Sequence, residues 1–272
     1  ANEEAPANFE GRFHNELSLG DGTAFLIGKQ LVLTAAHCIC DSVSGKSSRE
    51  KVNRLWIVFG FQMETTEQVR KRFEQRDVYP VESVWRYDFR KGIADWAILK
   101  LDREVEGRDP LSIGSLPTAS LKQQLYMIGY PAGLPLKLTL SGEVRKTHET
   151  HFFETDIDAF AGNSGSPVFL HETGSITGML IAGHSDYVVS SKGSLKSIQV
   201  KRVTKADIEL DGYEKCHKVA SINPVKIVLS SSFKMAHSHF SGRNNYLTRL
   251  KDHLLEPSSS LKVQDRKSTR LN

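Results

Sequence analysis

Apolar stretches between residues 20 and 183 are short, turn residues break them every few positions, and no long helical pattern occurs in the first 190 residues. Thr23 to Ile27 and Leu31 to Thr34 read as two strands joined by the tight turn Gly28-Lys29-Gln30. Leu55 to Phe61 is a continuous apolar run that predicts a well-buried strand, and Val78 to Trp85 and Trp96 to Leu101 predict two more. A second set follows at Gln124–Gly129, Leu138–Val144, Phe152–Asp156, Pro167–Leu170 and Thr177–Gly183. Strands of this length and spacing favour all-β barrels or sandwiches. Residues 102–117, rich in charge, Gly and Pro, read as a linker over the surface. Further on, Lys196–Val203 and Val225–Leu229 fit either strands or a closing helix, and Tyr246, Leu247, Leu250 and Leu254 recur at helical spacing. Residues 265–272 have nothing to bury, resemble translated vector sequence and are left out of fold reasoning.

The totals exclude several function classes. With 272 residues, 39% hydrophobic and 25% charged, the chain has enough length and apolar content for one large domain or two small ones. It has no run of about 18 apolar residues, so no membrane-spanning helix is expected. The formal net charge of +4 is uneven: residues 231–272 carry eight Lys+Arg against three Asp+Glu, which leaves the remainder at −1. A nucleic-acid-binding body carries its own basic face, and this one does not, so no nucleic-acid partner is expected. Ala1 to Glu10 lack the basic start and apolar run of a signal peptide. Cys38, Cys40 and Cys216 are odd in number, and at most one of the first two is expected to pair with Cys216.

Three stretches carry chemistry. Gly162-Asn163-Ser164-Gly165-Ser166-Pro167 places a serine between glycines, so the backbone turns sharply and approaches a substrate closely. A serine hydroxyl is a poor nucleophile at neutral pH and needs a base to take its proton and donors to hold an oxyanion. The N–H groups of Gly162 and Ser164 are the expected donors. His37 follows a buried strand in Leu33-Thr34-Ala35-Ala36-His37-Cys38, where small neighbours leave room around the ring. Asp95 enters the apolar strand Trp96–Leu101, and a partly buried carboxylate there needs a hydrogen-bonding partner such as an imidazole N–H.

Together these stretches, in the order His, Asp, Ser, resemble the signatures of trypsin-like serine proteases. Gly-Asn-Ser-Gly-Ser-Pro and Gly129-Tyr-Pro-Ala-Gly-Leu-Pro-Leu-Lys137 are similar to bacterial forms, including glutamyl endopeptidase-like enzymes. The resemblance covers roughly residues 11–229. It implies an all-β, chymotrypsin-like fold of two six-stranded antiparallel β-barrels with the active site in the cleft between them. Residues 11–110 would form the first barrel, with His37 and Asp95, and residues 111–229 the second, with Ser164, leaving 230–272 as a basic tail. It further implies a serine endopeptidase with catalytic residues His37, Asp95 and Ser164 and an oxyanion site at Gly162 and Ser164. No metal or cofactor would be needed, the substrate would be a protein or peptide, and the enzyme would be a secreted or periplasmic monomer.

The departures from the family pattern also make expectations. Asn163 stands where trypsin has an aspartate that pairs with a newly cut N-terminus, so no such ion-pair switch is expected. The family partner of Cys38 falls near Gly22, so that disulfide is absent. Asp158 lies in the register of the trypsin pocket floor and would favour Arg or Lys before the scissile bond; an ordinary loop aspartate is the alternative. Leu180 occupies the slot where glutamate-specific relatives place a histidine, with His184 out of register, and Leu180 and Gly183 are expected to line the specificity pocket. Two other readings are an esterase using Ser164 and a protease-shaped binding module without catalysis. His148-Glu149-Thr150-His151 has the wrong spacing for a zinc helix.

Overall fold

The computed structural model describes residues 9–10, 13, 16–41, 44–111, 118–148, 151–192, 195–200 and 213–222. Its strands are β1 (Phe9–Glu10), β2 (Ala24–Gly28), β3 (Leu31–Thr34), β4 (Trp56–Val58), β5 (Val78–Arg90), β6 (Ala94–Leu101) and β7 (Gln124–Gly129). They continue as β8 (Lys137–Thr147), β9 (Phe152–Thr155), β10 (Pro167–Leu170), β11 (Ile176–Ala182), β12 (Tyr187–Lys192), β13 (Leu195–Val200) and β14 (Glu214–Lys218). The one α-helix among the described residues spans only Arg49–Asn53. No helix among them is long and apolar enough to cross a membrane.

The first half is a five-stranded curled sheet in the order β2-β3-β6-β5-β4, and the second is a closed six-stranded barrel in the order β10-β11-β14-β9-β8-β7. This is the double-barrel plan of the chymotrypsin-like fold, with the first barrel open at one side. The long β5 curls because its pairing with β6 slips between Val81 and Ser83 and again between Val84 and Arg86. Such bulges bend a strand and increase its twist. A small third sheet pairs β12 with β13 and β13 with β1.

Each half has its own core, and a third core joins them. Val32, Tyr79, Leu99 and Leu101 pack inside the first sheet, while Leu125, Met127, Phe153 and Ile157 fill the barrel. Phe25, Leu33 and Ile98 from the first half meet Phe152, Phe169, Met179 and Ile181 from the second in one cluster. Burying such side chains contributes about 1.5–3 kcal/mol each, so the seam between the halves is held by an apolar core.

Several expectations change. The run from Leu55 to Phe61 is not one buried strand: only Trp56–Val58 pairs, and Trp56 is exposed, because β4 is the sheet edge. The strand expected to end at Trp85 runs on to Arg90. None of the three cysteines is paired. β14 has no counterpart in the sequence reading. Its residues Glu-Lys-Cys-His-Lys show no apolar alternation, yet all but Lys215 are buried. Two of their polar groups are bonded inside: the Lys218 ammonium donates to the His148 carbonyl and the His217 Nδ1 donates to the Lys218 carbonyl. Val225–Leu229, the 246–254 segment and the basic tail lie outside the described residues.

His217 makes this strand sensitive to acid. Its ring is edge-on to Phe152 at 5.1 Å and stacked on His151 at 5.8 Å. Burial, reinforced by neighbouring His151, pushes its pKa down from 6.5 to about 4. The unfolded chain therefore binds a proton there that the folded chain refuses, and stability falls as pH drops below 6.5. Urea unfolding at pH 7 and pH 5 is expected to differ by about 2 kcal/mol from this group. The His217→Gln variant is expected to lose that difference.

Candidate active site

Strand pairing brings His37 to Asp95. Thr34, the last residue of β3, pairs with Ala97 of β6, and the chain then turns through the short 3-10 segment Ala36–Cys38. Ala35 and Ala36 are fully buried, and only side chains this small let the turn sit flat against β6. Both carboxylate oxygens of Asp95 are engaged by one residue: Oδ1 accepts from the His37 backbone N–H at 3.0 Å and Oδ2 from its ring Nδ1 at 2.8 Å. That fixes the ring orientation and leaves Nε2 facing away from the acid. Burial works against charge on the ring, but Asp95 and Cys38 outweigh it and push the pKa up from 6.5 to about 10.

The serine loop is described by where its backbone bonds go. Four consecutive carbonyls are taken. Ala161 O accepts from Ala132 N at 2.5 Å, Gly162 O from Thr23 Oγ1 at 2.8 Å, Asn163 O from Ser166 N at 2.8 Å and Ser164 O from Thr23 N at 2.9 Å. The Asn163 and Gly165 N–H groups are also taken, by Phe160 O at 3.0 Å and Leu180 O at 2.8 Å. Among the described residues, only the N–H groups of Gly162 and Ser164 in this loop find no acceptor. A trans peptide points its N–H opposite its carbonyl. The bonds at Ala161 O and Asn163 O therefore aim those two free donors away from the protein groups that hold the loop. Gly162 and Gly165 both have φ of +90°, and a Cβ on Gly165 would collide with the Thr23 carbonyl. The chain can make this turn only with glycine there. Among the described residues no cation bonds to buried Asn163; its Oδ1 accepts from Ser166 Oγ at 3.4 Å.

Ser164 lines a cavity of about 180 Å³ whose walls are residues 159–161 together with Leu180, Ala182, Gly183, His184, Asp186 and Glu214. Asp186 clips the walls together by accepting the Ala161 N–H at 2.6 Å. A Cβ at Gly183 would collide with the Glu214 carboxylate, so glycine is needed there for space. Leu180 and Gly183 are thus at the cavity. Asp158 precedes its wall but does not line it; its carbonyl accepts from Thr139 Oγ1 at 3.1 Å. The acids that do line it, Glu214 and Asp186, were not singled out in the sequence: β14, which carries Glu214, has no strand signal, and Asp186 lies in the segment between β11 and β12. His184 is there too, and no Lys or Arg among the described residues is.

The first half meets the serine loop at Gly22 and Thr23. A Cβ at Gly22 would lie 3.3 Å from Cys38 Sγ and 3.8 Å from the Ser164 carbonyl oxygen, so the His37 and Ser164 segments face each other across this residue. The Ser164 hydroxyl itself makes no hydrogen bond to the His37 ring in this resting structure. Gly22 has no positive φ and tolerates a side chain. Gly22→Cys is expected to bridge to Cys38 on oxidation, closing a loop whose constraint stabilises by at most about 3 kcal/mol. Thiol titration of the denatured variant should then find two free cysteines, against three in the parent; four would contradict the placement.

The family model of the trypsin-like peptidase domain matches residues 22–179, which include all three candidate side chains. A solved Glu endopeptidase, in complex with MPD, superposes with a TM-score of 0.53 at 18% identity, over 79% of this chain and 88% of its own. A serine endoprotease from Yersinia pestis matches at TM-score 0.48 and 17% identity, over 78% of this chain and 58% of its own. No curated protein matches significantly. On the match across more than half its length, the chain belongs to the trypsin-like peptidase domain family.

Proposed function

We propose that this protein is a serine endopeptidase with Ser164 as nucleophile, His37 as general base and acid, and Asp95 as the group that orients the ring. The observation that carries this reading is the serine whose own N–H, with that of Gly162, is left without an acceptor at the mouth of a cavity. Ser164 Oγ attacks the peptide carbonyl carbon while His37 Nε2 takes its proton. The carbonyl oxygen becomes an anion held by the two free N–H groups. The intermediate collapses, His37 returns the proton to the leaving amine, and an acyl-serine remains. Water, deprotonated by the same ring, then releases the acid and restores the serine. The Oγ–Nε2 hydrogen bond forms in the substrate complex; such bonds are commonly long or unmade without substrate.

The esterase reading needs a helix directly after the serine, and here β10 follows instead. Specificity follows from charge. Two carboxylates and one histidine line the cavity, so a substrate carboxylate would be the third acid there, whereas Lys or Arg brings the opposite sign. The proposed preference before the scissile bond is therefore basic. Glu214 and Asp186, rather than Asp158, carry it.

Ser164→Ala is expected to lower turnover by about 10⁶-fold and Asp95→Asn by about 10⁴-fold. Sequencing the cut sites in a denatured protein mixture is expected to show Lys or Arg on the N-terminal side. Near-parental cleavage by Ser164→Ala would refute the mechanism, and cleavage after Glu would refute the charge argument alone. Because His37 must be neutral to act as base and its pKa is raised to about 10, kcat/KM should climb through the alkaline range. Asp95→Asn removes the charge that raises it, so its residual activity should rise at lower pH.

A further inference from the structure

Thr23 does more than pass between the two halves of the fold. It is 4% exposed, and every polar group it owns is used. Its N–H donates to Ser164 O at 2.9 Å. Its hydroxyl donates to Gly162 O at 2.8 Å and accepts the Tyr130 N–H at 3.2 Å. Its carbonyl accepts from Thr34 Oγ1 at 2.7 Å. One residue thus supplies two of the four bonds that hold the serine-loop carbonyls. Its hydroxyl is also the only side-chain donor among the four.

We propose that Thr23 is a positioning residue that keeps the two free amides of the serine loop aimed at the reacting carbonyl, so that the anion site is preformed. This inference rests on the peptidase reading above. Gly162 and Gly165, both at φ +90°, have the freest backbone in the loop, and without the bond to its carbonyl the Gly162–Asn163 peptide plane would be held only by the Asn163 N–H on Phe160 O. The Thr23 hydroxyl holds that carbonyl from outside the loop. The same hydroxyl anchors Tyr130, at the start of the segment whose Ala132 N–H fixes the Ala161 carbonyl and thereby aims the Gly162 N–H. Thr34 stands three residues before His37, so a chain of two hydroxyls runs from the strand that carries the base to the loop that carries the nucleophile. With uncharged Asn163 inside the loop, this neutral clamp does work for which a buried ion pair is not needed.

The test compares the parent with Thr23→Ser, which keeps the hydroxyl, and Thr23→Val, which keeps the shape and removes it. Removing one oxyanion donor outright costs about 10²–10³ in kcat, so a donor left in place but loosely aimed is expected to cost roughly 10- to 100-fold. Thr23→Val should show that loss in kcat with KM changed less than about threefold. It should bind a peptide aldehyde, whose serine adduct places an oxyanion in the site, more weakly by the same factor. Affinity for the N-terminal cleavage product should stay at the parental level. Thr23→Ser should stay within about threefold of the parent throughout. If Thr23→Val does not fold, Thr23→Ala, which sets no apolar atom against the two polar groups, carries the same comparison. A folded variant without the hydroxyl but with parental kcat, or a Thr23→Ser loss equal to it, would overturn the proposal. So would equal weakening of aldehyde and product. Amide exchange separates the two levels of the claim. The Tyr130 N–H should exchange faster in Thr23→Val than in Thr23→Ser, and equal rates overturn the clamp even if the peptidase reading stands. A parent protein that neither cleaves peptides nor binds the aldehyde sinks the peptidase reading while that exchange difference still decides the clamp.

Discussion

Everything in the site depends on a turn whose backbone is almost fully satisfied. Bonds from Thr23, Ala132 and Ser166 occupy four successive carbonyls between Ala161 and Ser164, and Phe160 and Leu180 take two of the amides. Buried polar groups without partners cost about 1–3 kcal/mol each, so a loop this close to the core survives only if its unpaired donors face an opening. The two that remain among the described residues are the N–H of Ser164 itself and that of Gly162, two residues before it. The site is therefore what is left after the fold has satisfied the rest of the loop, and its precision comes from the groups that hold the carbonyls.

The seam between the halves supplies most of those groups. Phe25, Leu33 and Ile98 share one apolar cluster with Phe152, Phe169 and Met179. That cluster fixes the height of β2 and β3 against the barrel. Thr23 then reaches the serine loop, and the turn after β3 places His37 on Asp95. The proposed base and the proposed nucleophile come from different halves, so the same packing that stabilises the molecule sets the distance across which the proposed proton transfer occurs.

The parts of the site that were legible in the sequence are those whose chemistry is local. Gly-Asn-Ser-Gly-Ser-Pro needs its glycines for its own φ angles, and Thr-Ala-Ala-His needs its small residues for its own turn, so both can be read from a few letters. Asp95 was legible because an acid entering an apolar strand demands a partner. Thr23, Glu214 and Asp186 were not, because each acts on a residue more than 20 positions away. A buried threonine before a strand looks like any strand residue. β14 hid for a related reason: its polar side chains are enclosed by neighbours that only the closed barrel supplies, so its composition reads as surface. Asp158 shows the converse, since a matching register put it in the pocket while the cavity walls are made by its neighbours.

The central claim is that Ser164 is made reactive by the folded site and by nothing else in the chain. Mass mapping after treatment with a fluorophosphonate tests it most directly, because that reagent forms a covalent bond only with an activated hydroxyl. The account predicts one adduct, on the peptide containing Ser164, formed in the native protein and absent from the denatured protein and from His37→Ala. No adduct on the folded protein, or one at another residue, would contradict it.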